Sequence, residues 1–265
     1  MDKLETWAGT PVWVTHWGHD GPRVVMVHGS AQGSAIGGDH HFSAQRRLAE
    51  RGWQLLVPDR PGHGRSPDPG RPDDAQADGA IVADLLGDGA HLVGHSFGGA
   101  VALAAAARRP DAVRSLTLIE PAMQLLAIDD PAVRRFGLRI LAINLFTWSP
   151  AARAVKFSRH VNIPDEIGGS RPPEEMRRMG RALAKLRLPD KATLQRQLAT
   201  IREAGIPLWV VTGGWSPAFE VVAGRVAAAG GGTHDVIASP HHFPQGVSDE
   251  FNQSLARFMQ RADSR

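Results

Sequence analysis

Apolar positions in this chain fall into two kinds of run, and the two kinds alternate. Short, almost uninterrupted apolar stretches at Arg23–Val27, Gln54–Val57, His91–Val93, Ser115–Ile119, Pro207–Val211 and Thr233–Ile237 read as strands, most of them buried on both faces. Between them lie longer stretches with helical spacing and end signals: Phe42–Arg51 before Gly52, Ala75–Leu86, Phe97–Arg109 before Pro110, about 218–229, and about 249–262. Near the start, apolar and polar residues alternate from position 4 to 17 around Gly9-Thr10-Pro11, which predicts an antiparallel hairpin at a sheet edge. The whole pattern predicts an α/β fold, with a mostly parallel central sheet covered by helices on both faces and ligands at the carboxyl ends of the strands.

One segment breaks the alternation. From Pro121 to Gly205 only helical patterns appear, cut at Pro131, Pro150, Pro164, Pro172-Pro173 and Pro189. It reads as a helical cap, 121–205, inserted into a core made of 1–120 and 206–265. Its most apolar part, Phe136–Trp148, is too short to span a bilayer and has no clear polar face. An all-round apolar helix is expected to be buried, so packing within the cap is the favoured reading over a lid that lines a substrate site.

Composition narrows the picture. The 265 residues suffice for one large domain with an insertion, and 42% hydrophobic and 22% charged residues suggest neither disorder nor a membrane span. A net charge of +3 points to no nucleic-acid partner; the basic stretch from Arg171 to Arg187 carries Glu174 and Glu175 at pairing distance on a helix. No membrane partner is expected, and the start carries no visible secretion signal, so a cytoplasmic location is expected. Cysteine is absent, which leaves serine as the nucleophile for any covalent chemistry.

The candidate nucleophile stands out in Gly94-His95-Ser96-Phe97-Gly98, a G-x-S-x-G sequence between a strand and an Ala-rich helix. Glycines on both sides of Ser96 let neighbouring elements close in, and the next helix aims free N–H groups at the same spot. Serine needs an imidazole to take its proton, and the imidazole needs a carboxylate on its other nitrogen. Ser96, Glu120 and His242 each follow a predicted strand, in the chain order of that triad for this kind of sheet. His241 competes with His242, and Glu220 competes with Glu120, as does the reading that no carboxylate takes part.

These residues resemble the α/β-hydrolase superfamily over almost the whole chain. His28-Gly29-Ser30 resembles its oxyanion loop, Pro58-Asp59-Arg60-Pro61-Gly62-His63-Gly64-Arg65-Ser66 its D-x-x-G-x-G-x-S turn, and His242-Phe243-Pro244 its histidine turn. The resemblance implies Ser96 as nucleophile, His242 as base, and the backbone N–H groups of Ser30 and Phe97 as oxyanion hole. It also marks a departure: the position after the strand that follows the cap, where members commonly carry the acid, holds Ser216. Some relatives take the acid from the strand before the cap, which ends here at Glu120.

The expected activity is hydrolysis of small to medium apolar carboxylic esters or lactones through an acyl-enzyme, without a cofactor. Alternatives are a cofactor-free perhydrolase or haloperoxidase-like enzyme, and a non-catalytic ligand-binding protein on the same fold. The histidine pairs His40-His41 and His241-His242 lack helical metal-ligand spacing, so no metal is expected. His28 and His63 are expected to hold loop backbone, and His95 to pack beside the nucleophile.

Overall fold

The computed structural model describes residues 3–30, 35–164 and 171–264. Eight strands form one sheet: β1 (Lys3–Trp7), β2 (Thr10–Trp17), β3 (Arg23–Val27), β4 (Gln54–Pro58), β5 (Ala90–His95), β6 (Val113–Ile119), β7 (Leu208–Thr212) and β8 (Thr233–Val236). Their order is β1-β2-β4-β3-β5-β6-β7-β8, antiparallel where β2 meets β1 and β4 and parallel from β4 onward. The hairpin closes in two residues, Ala8 and Gly9, both at positive φ (46° and 72°), the backbone that matches the twist of the strands it joins.

Nine helices run α1 (Gly38–His41), α2 (Ala75–Leu85), α3 (Phe97–Arg108), α4 (Pro131–Phe146), α5 (Pro150–His160), α6 (Pro173–Leu183), α7 (Lys191–Glu203), α8 (Pro217–Gly230) and α9 (Asp249–Asp263) among the described residues. The continuous apolar runs have a direct cause. Val25 and Val27 point into a core shared with α2, α3, α7 and α8, while Val24 and Met26 point into a second core with Phe42, Leu48 and the Phe251-Leu255-Met259 stripe of α9. A strand covered on both faces has no polar face to show.

The helix expected over Phe42–Arg51 forms as a 3-10 helix, Ser43–Arg51, and ends at Gly52, whose φ of 85° suits a residue without a Cβ. One expectation needs correction, that for α4. Asp130 caps it by accepting from the N–H groups of Ala132 and Val133, and it buries Val133 and Phe136. Leu138, Leu141, Leu145, Phe146 and the following Trp148 nevertheless face outward. Helix α4 packs on α5, α8 and the 3-10 turn Gln124–Ala127, and these contacts leave that outward row exposed. Apolarity all round therefore did not mean burial all round, because hydrophobic residues inside is a one-way rule.

The segment between β6 and β7 is not uniform in its packing. Helices α5 and α6 share a small core of Ala154, Met179 and Leu183, with Gly180 set against the carbonyl of Pro150. Helix α7 instead sends Leu194, Leu198 and Ile201 into the main core beside α3 and α8.

The tightest approach between helix and sheet lies at the start of α3, where a Cβ on Gly98 would strike the carbonyl oxygens of Val27 and His28. Both obstacles are backbone, so neither can swing aside. Gly98→Ala is expected to lose about 1–3 kcal/mol or more of stability, seen as a fall of several degrees in Tm; an unchanged melting curve would show that α3 can shift on the sheet.

Candidate active site

Strand β5 enters the turn through Gly94-His95, and Ser96 sits at its apex with φ 55° and ψ −122°. A non-glycine residue keeps such a backbone only where its neighbours enforce it. They do so here: the Ser96 N–H donates to the Ile119 carbonyl at 2.8 Å, and the Ser96 carbonyl accepts from Gly99 at 2.9 Å and Ala122 at 3.1 Å. Ser96 is half-buried and lines a cavity of about 500 Å³ together with Gly29, Ser30, Phe136, Phe219 and His242. That volume lies in the usual range of small-molecule sites, and most of the lining is apolar.

His242 follows β8 in a loop that the structure pins from two sides. The buried His95 uses Nε2 to donate to the His242 carbonyl at 2.8 Å, and because the partner is a carbonyl this nitrogen must carry the proton. From the other side, the His242 N–H donates to the Asn162 carbonyl at 3.1 Å, while the Asn162 side-chain amide donates to the Pro240 carbonyl at 2.6 Å. Asn162 has a φ of 52°, in the left-handed region that asparagine tolerates better than most residues. Phe219 packs against the imidazole of His242 at 4.8 Å between ring centres, and Trp215 meets it edge-on at 5.8 Å.

The Nδ1 of His242 lies 3.4 Å from Oε2 of Glu120. Neither atom has a hydrogen-bond partner elsewhere among the described residues. Glu120 is fully buried, at φ 46°, and its other oxygen accepts from the Gly213 N–H at 2.7 Å and the Trp215 indole N–H at 3.1 Å. Burial pushes the Glu120 carboxyl up to about 7, against the pull of those two donors, and pushes the His242 imidazole down to about 3. A charge on either partner favours the opposite charge on the other, so the two titrate as a pair.

The competing residues are engaged elsewhere. Glu220 accepts from the Thr212 hydroxyl at 2.9 Å and the Gly214 N–H at 3.1 Å, with His234 at 3.5 Å. His241 turns its Nδ1 toward its own loop, accepting from the Phe243 N–H at 3.2 Å. Ser216 is the N-terminal flanking residue of α8 and makes no side-chain cap. Where the family pattern places an acid, this chain sets Trp215 and Phe219 against His242 instead.

Beneath the His28-Gly29-Ser30 loop lies a buried guanidinium. Arg60 donates through Nη2 to the Gly29 carbonyl at 2.8 Å and through Nε to the His28 carbonyl at 3.1 Å. Its Nη1 holds Asp73 at 2.9 Å and Asp78 at 2.6 Å. Burial works against the Arg60 charge, but the two aspartates outweigh it and raise the group above its ordinary value. His28 adds a second bond to the Gly29 carbonyl at 3.0 Å, since its Nε2 accepts from the Arg60 N–H and its Nδ1 must therefore donate. A trans peptide carries its C=O and N–H on opposite edges. With the Gly29 carbonyl held toward Arg60, the Ser30 N–H points to the other edge. Phe97 opens α3, so its N–H has no partner within the helix.

His28, His41, His63 and His95 are all held well below the ordinary imidazole range, first by burial and then by neighbouring positive or imidazole groups. His28 and His63 bond loop backbone, as their glycine-bounded turns suggested. Among the described residues no group of three His, Asp or Glu side chains is arranged to hold a metal ion. Sequence reasoning missed Arg60, Trp215 and Asn162 in this site, and saw His95 only as packing. Asn162 alone had a local signal, as an asparagine two residues past a helix end.

A family profile described as "alpha/beta hydrolase fold" matches residues 22–162. Among relatives, Lipase LipV of Mycobacterium tuberculosis is 38% identical over 149 residues, 54% of this chain and 53% of that protein. A pimeloyl-[acyl-carrier protein] methyl ester esterase of Neisseria meningitidis is 35% identical over 108 residues, 41% of this chain and 40% of that one. The matches thus span about half or less of those relatives' own length. Two solved structures superpose over nearly the whole chain: an esterase from Exiguobacterium antarcticum (TM-score 0.72, 18% identity, covering 98% of this chain and 100% of that one) and a mutant N-acyl homoserine lactonase complexed with N-hexanoyl homoserine (TM-score 0.69, 20% identity, 99% and 96%). At such identities they speak for the fold alone. With the profile covering more than half of its length, on a sheet and elbow of the matching design, the chain belongs to the α/β-hydrolase fold family.

Proposed function

We propose that the protein is a serine hydrolase of carboxylic esters or lactones with a small to medium apolar acyl part, working through an acyl-enzyme. The observation that carries this reading is the facing pair: a buried carboxylate oxygen and a buried imidazole nitrogen 3.4 Å apart, each with no other partner among the described residues, beside a strained serine in an apolar cavity. Such orphaned polar atoms are costly in a structural role and useful in a catalytic one.

In this reading Ser96 Oγ attacks the carbonyl carbon while His242 Nε2 takes its proton, and Glu120 accepts the Nδ1–H and stabilises the imidazolium. The Ser30 and Phe97 N–H groups receive the developing oxyanion, which costs no reorganisation because Arg60 has already fixed the loop peptide. The imidazolium then protonates the leaving alcohol, and a water activated by His242 releases the acid. We place the cover over the site at 121–189, leaving α7 with the core into which it packs.

Ser96→Ala is expected to abolish turnover and leave Tm unchanged, and a fluorophosphonate probe should label the parent at Ser96 alone, read by peptide mass spectrometry. Labelling at another residue would remove Ser96 from its role. Glu120→Gln is expected to lower kcat by about 10⁴, with Glu220→Gln near the parent rate. In the parent the active form has an ionised Glu120 and a neutral His242, so activity rises with pH as the pair gives up its last proton, around pH 7. Without the anion, burial and the neighbouring His241 both disfavour the His242 imidazolium with nothing to offset them, so the acid limb of the residual Glu120→Gln activity should move to lower pH. A limb that stays put would detach Glu120 from the base. Phe136 lines the cavity and stacks on His160 at 4.4 Å. Phe136→Ala should shift preference in a p-nitrophenyl ester series toward longer chains, run beside lactones; unchanged selectivity with a lowered Tm would assign Phe136 to packing.

A further inference from the structure

The outer face of α4 is the least expected surface of the molecule. Leu138 is 57% exposed, Leu141 51%, Leu145 62%, Phe146 76% and Trp148 93%. Leu138, Leu141, Leu145 and Trp148 follow one another at three- and four-residue steps along the helix and over its end, with Phe146 next to Leu145, so they form one apolar patch. Large apolar side chains exposed singly need no explanation, but a contiguous patch of them marks an interaction site.

The charge around the patch is one-sided. Between Asp130 and Asp165 the sequence holds six Lys and Arg residues and no Asp or Glu. Arg134, Arg135 and Arg139 are exposed on α4 itself, and the neighbouring α5 exposes Lys156 and Arg159. On α4 cations and apolar side chains are mixed on the outward surface: Arg134 shares the side of Leu138 and Leu141, and Arg135 and Arg139 lie toward Phe146, so the helix offers burial-seeking side chains and cations together, a combination that suits an anionic headgroup layer. Trp148 and Phe146 at its end suit the interface depth that aromatic side chains prefer. A second copy of the chain is a poor occupant, since a two-fold contact would bring these cations together with no carboxylate in the segment to offset them.

We propose that the outer face of α4 and the turn through Trp148 dock on an anionic lipid surface, setting the mouth of the active-site cavity against the lipid. The link to the cavity is direct. Leu138 and Leu141 belong to the exposed patch and also line the cavity with Ser96 and His242. An apolar ester leaving the lipid would therefore meet one continuous apolar path to the nucleophile. Composition predicted no membrane partner, and among the described residues no helix is long and apolar enough to cross a membrane; docking on the surface needs none. The docking stands on the surface alone, whereas delivery of substrate rests on the proposed hydrolase activity.

The test uses the full chain with vesicles of phosphatidylglycerol and phosphatidylcholine, and with phosphatidylcholine alone, in a co-sedimentation assay. Binding is expected on the anionic vesicles, weakening with added salt. The triple variant Leu145→Ser, Phe146→Ser, Trp148→Ser lies outside the cavity lining and should lose binding roughly tenfold or more. It should keep its Tm and its turnover of a short water-soluble ester. Arg135→Gln and Arg139→Gln should each weaken binding to anionic vesicles about fivefold. Ser96→Ala should bind as the parent does, which separates docking from catalysis. With a long-chain ester dispersed in the anionic vesicles, the triple variant should turn over more slowly than the parent. Failure to partition onto anionic vesicles, equal partition by the triple variant, or a dimer that only the triple variant dissociates would each overturn the docking. Parent binding without turnover of any ester would overturn the proposed activity and leave the docking standing.

Discussion

A single buried positive charge sets the terms for the site. Arg60 touches the His28-Gly29-Ser30 loop, the turn after β4 and the first turn of α2 at once, through two backbone carbonyls, one imidazole and two carboxylates. Its charge is balanced by Asp73 and Asp78, and Asp78 is shared with Arg71 at 2.6 Å. Removing the guanidinium would strip the buried Asp73 of its guanidinium partner and leave Asp78 with Arg71 alone, a larger penalty than the pairs themselves are worth. Burial first, and that charge after it, hold the nearby imidazoles of His28 and His63 well below their ordinary range, so that each is neutral, with one nitrogen that donates and one that accepts. The Gly29–Ser30 peptide, which lines the cavity, owes its orientation to a buried group outside that lining.

Much of this was legible in the chain because it depends on local pattern. The double-faced strands announce themselves as unbroken apolar runs, and the elbow as two glycines flanking a serine. Glu120 could be singled out because Ser216 carries no negative charge to stabilise an imidazolium, and because a strand end before a proline is a fixed place on the sheet. What stayed hidden depends on contacts between distant segments. Nothing near Asn162 says that its carbonyl meets a residue 80 positions later, and nothing in Gly213-Gly214-Trp215 says that the indole faces a carboxylate from the far side of an insertion. The exposure of α4 was misread for a related reason: periodicity tells which residues could share a core, and it is silent on whether a neighbour exists to complete one.

The two halves of the site are built on different physical grounds. Ser96 and the Phe97 N–H are held by backbone bonds to β6 and by a helix pressed onto β3, so they are as rigid as the sheet. His242, the proposed base, is held by a loop, and its position follows from three weaker agents: a carboxylate at one nitrogen, aromatic rings packed against it, and hydrogen bonds to its own peptide. In the proposed chemistry such a division places the part that must be precise on the most constrained backbone and the part that must change protonation on a more adjustable one.

Asn162 connects that adjustable part to the insertion. Its main chain and side chain together take hold of residues 240 and 242, so the segment between β6 and β7 contributes to the placement of His242, the proposed base, as well as to the walls of the cavity. A cover of this kind is not an interchangeable module. Exchanging it for the equivalent stretch of a relative would change more than the shape of the pocket unless the graft also brought a residue able to hold a left-handed backbone at the same place. Among chains of this architecture, insertions and histidine loops would then have to be inherited together, and hybrids that join them from different parents would fold on an intact sheet and still lack an aligned base.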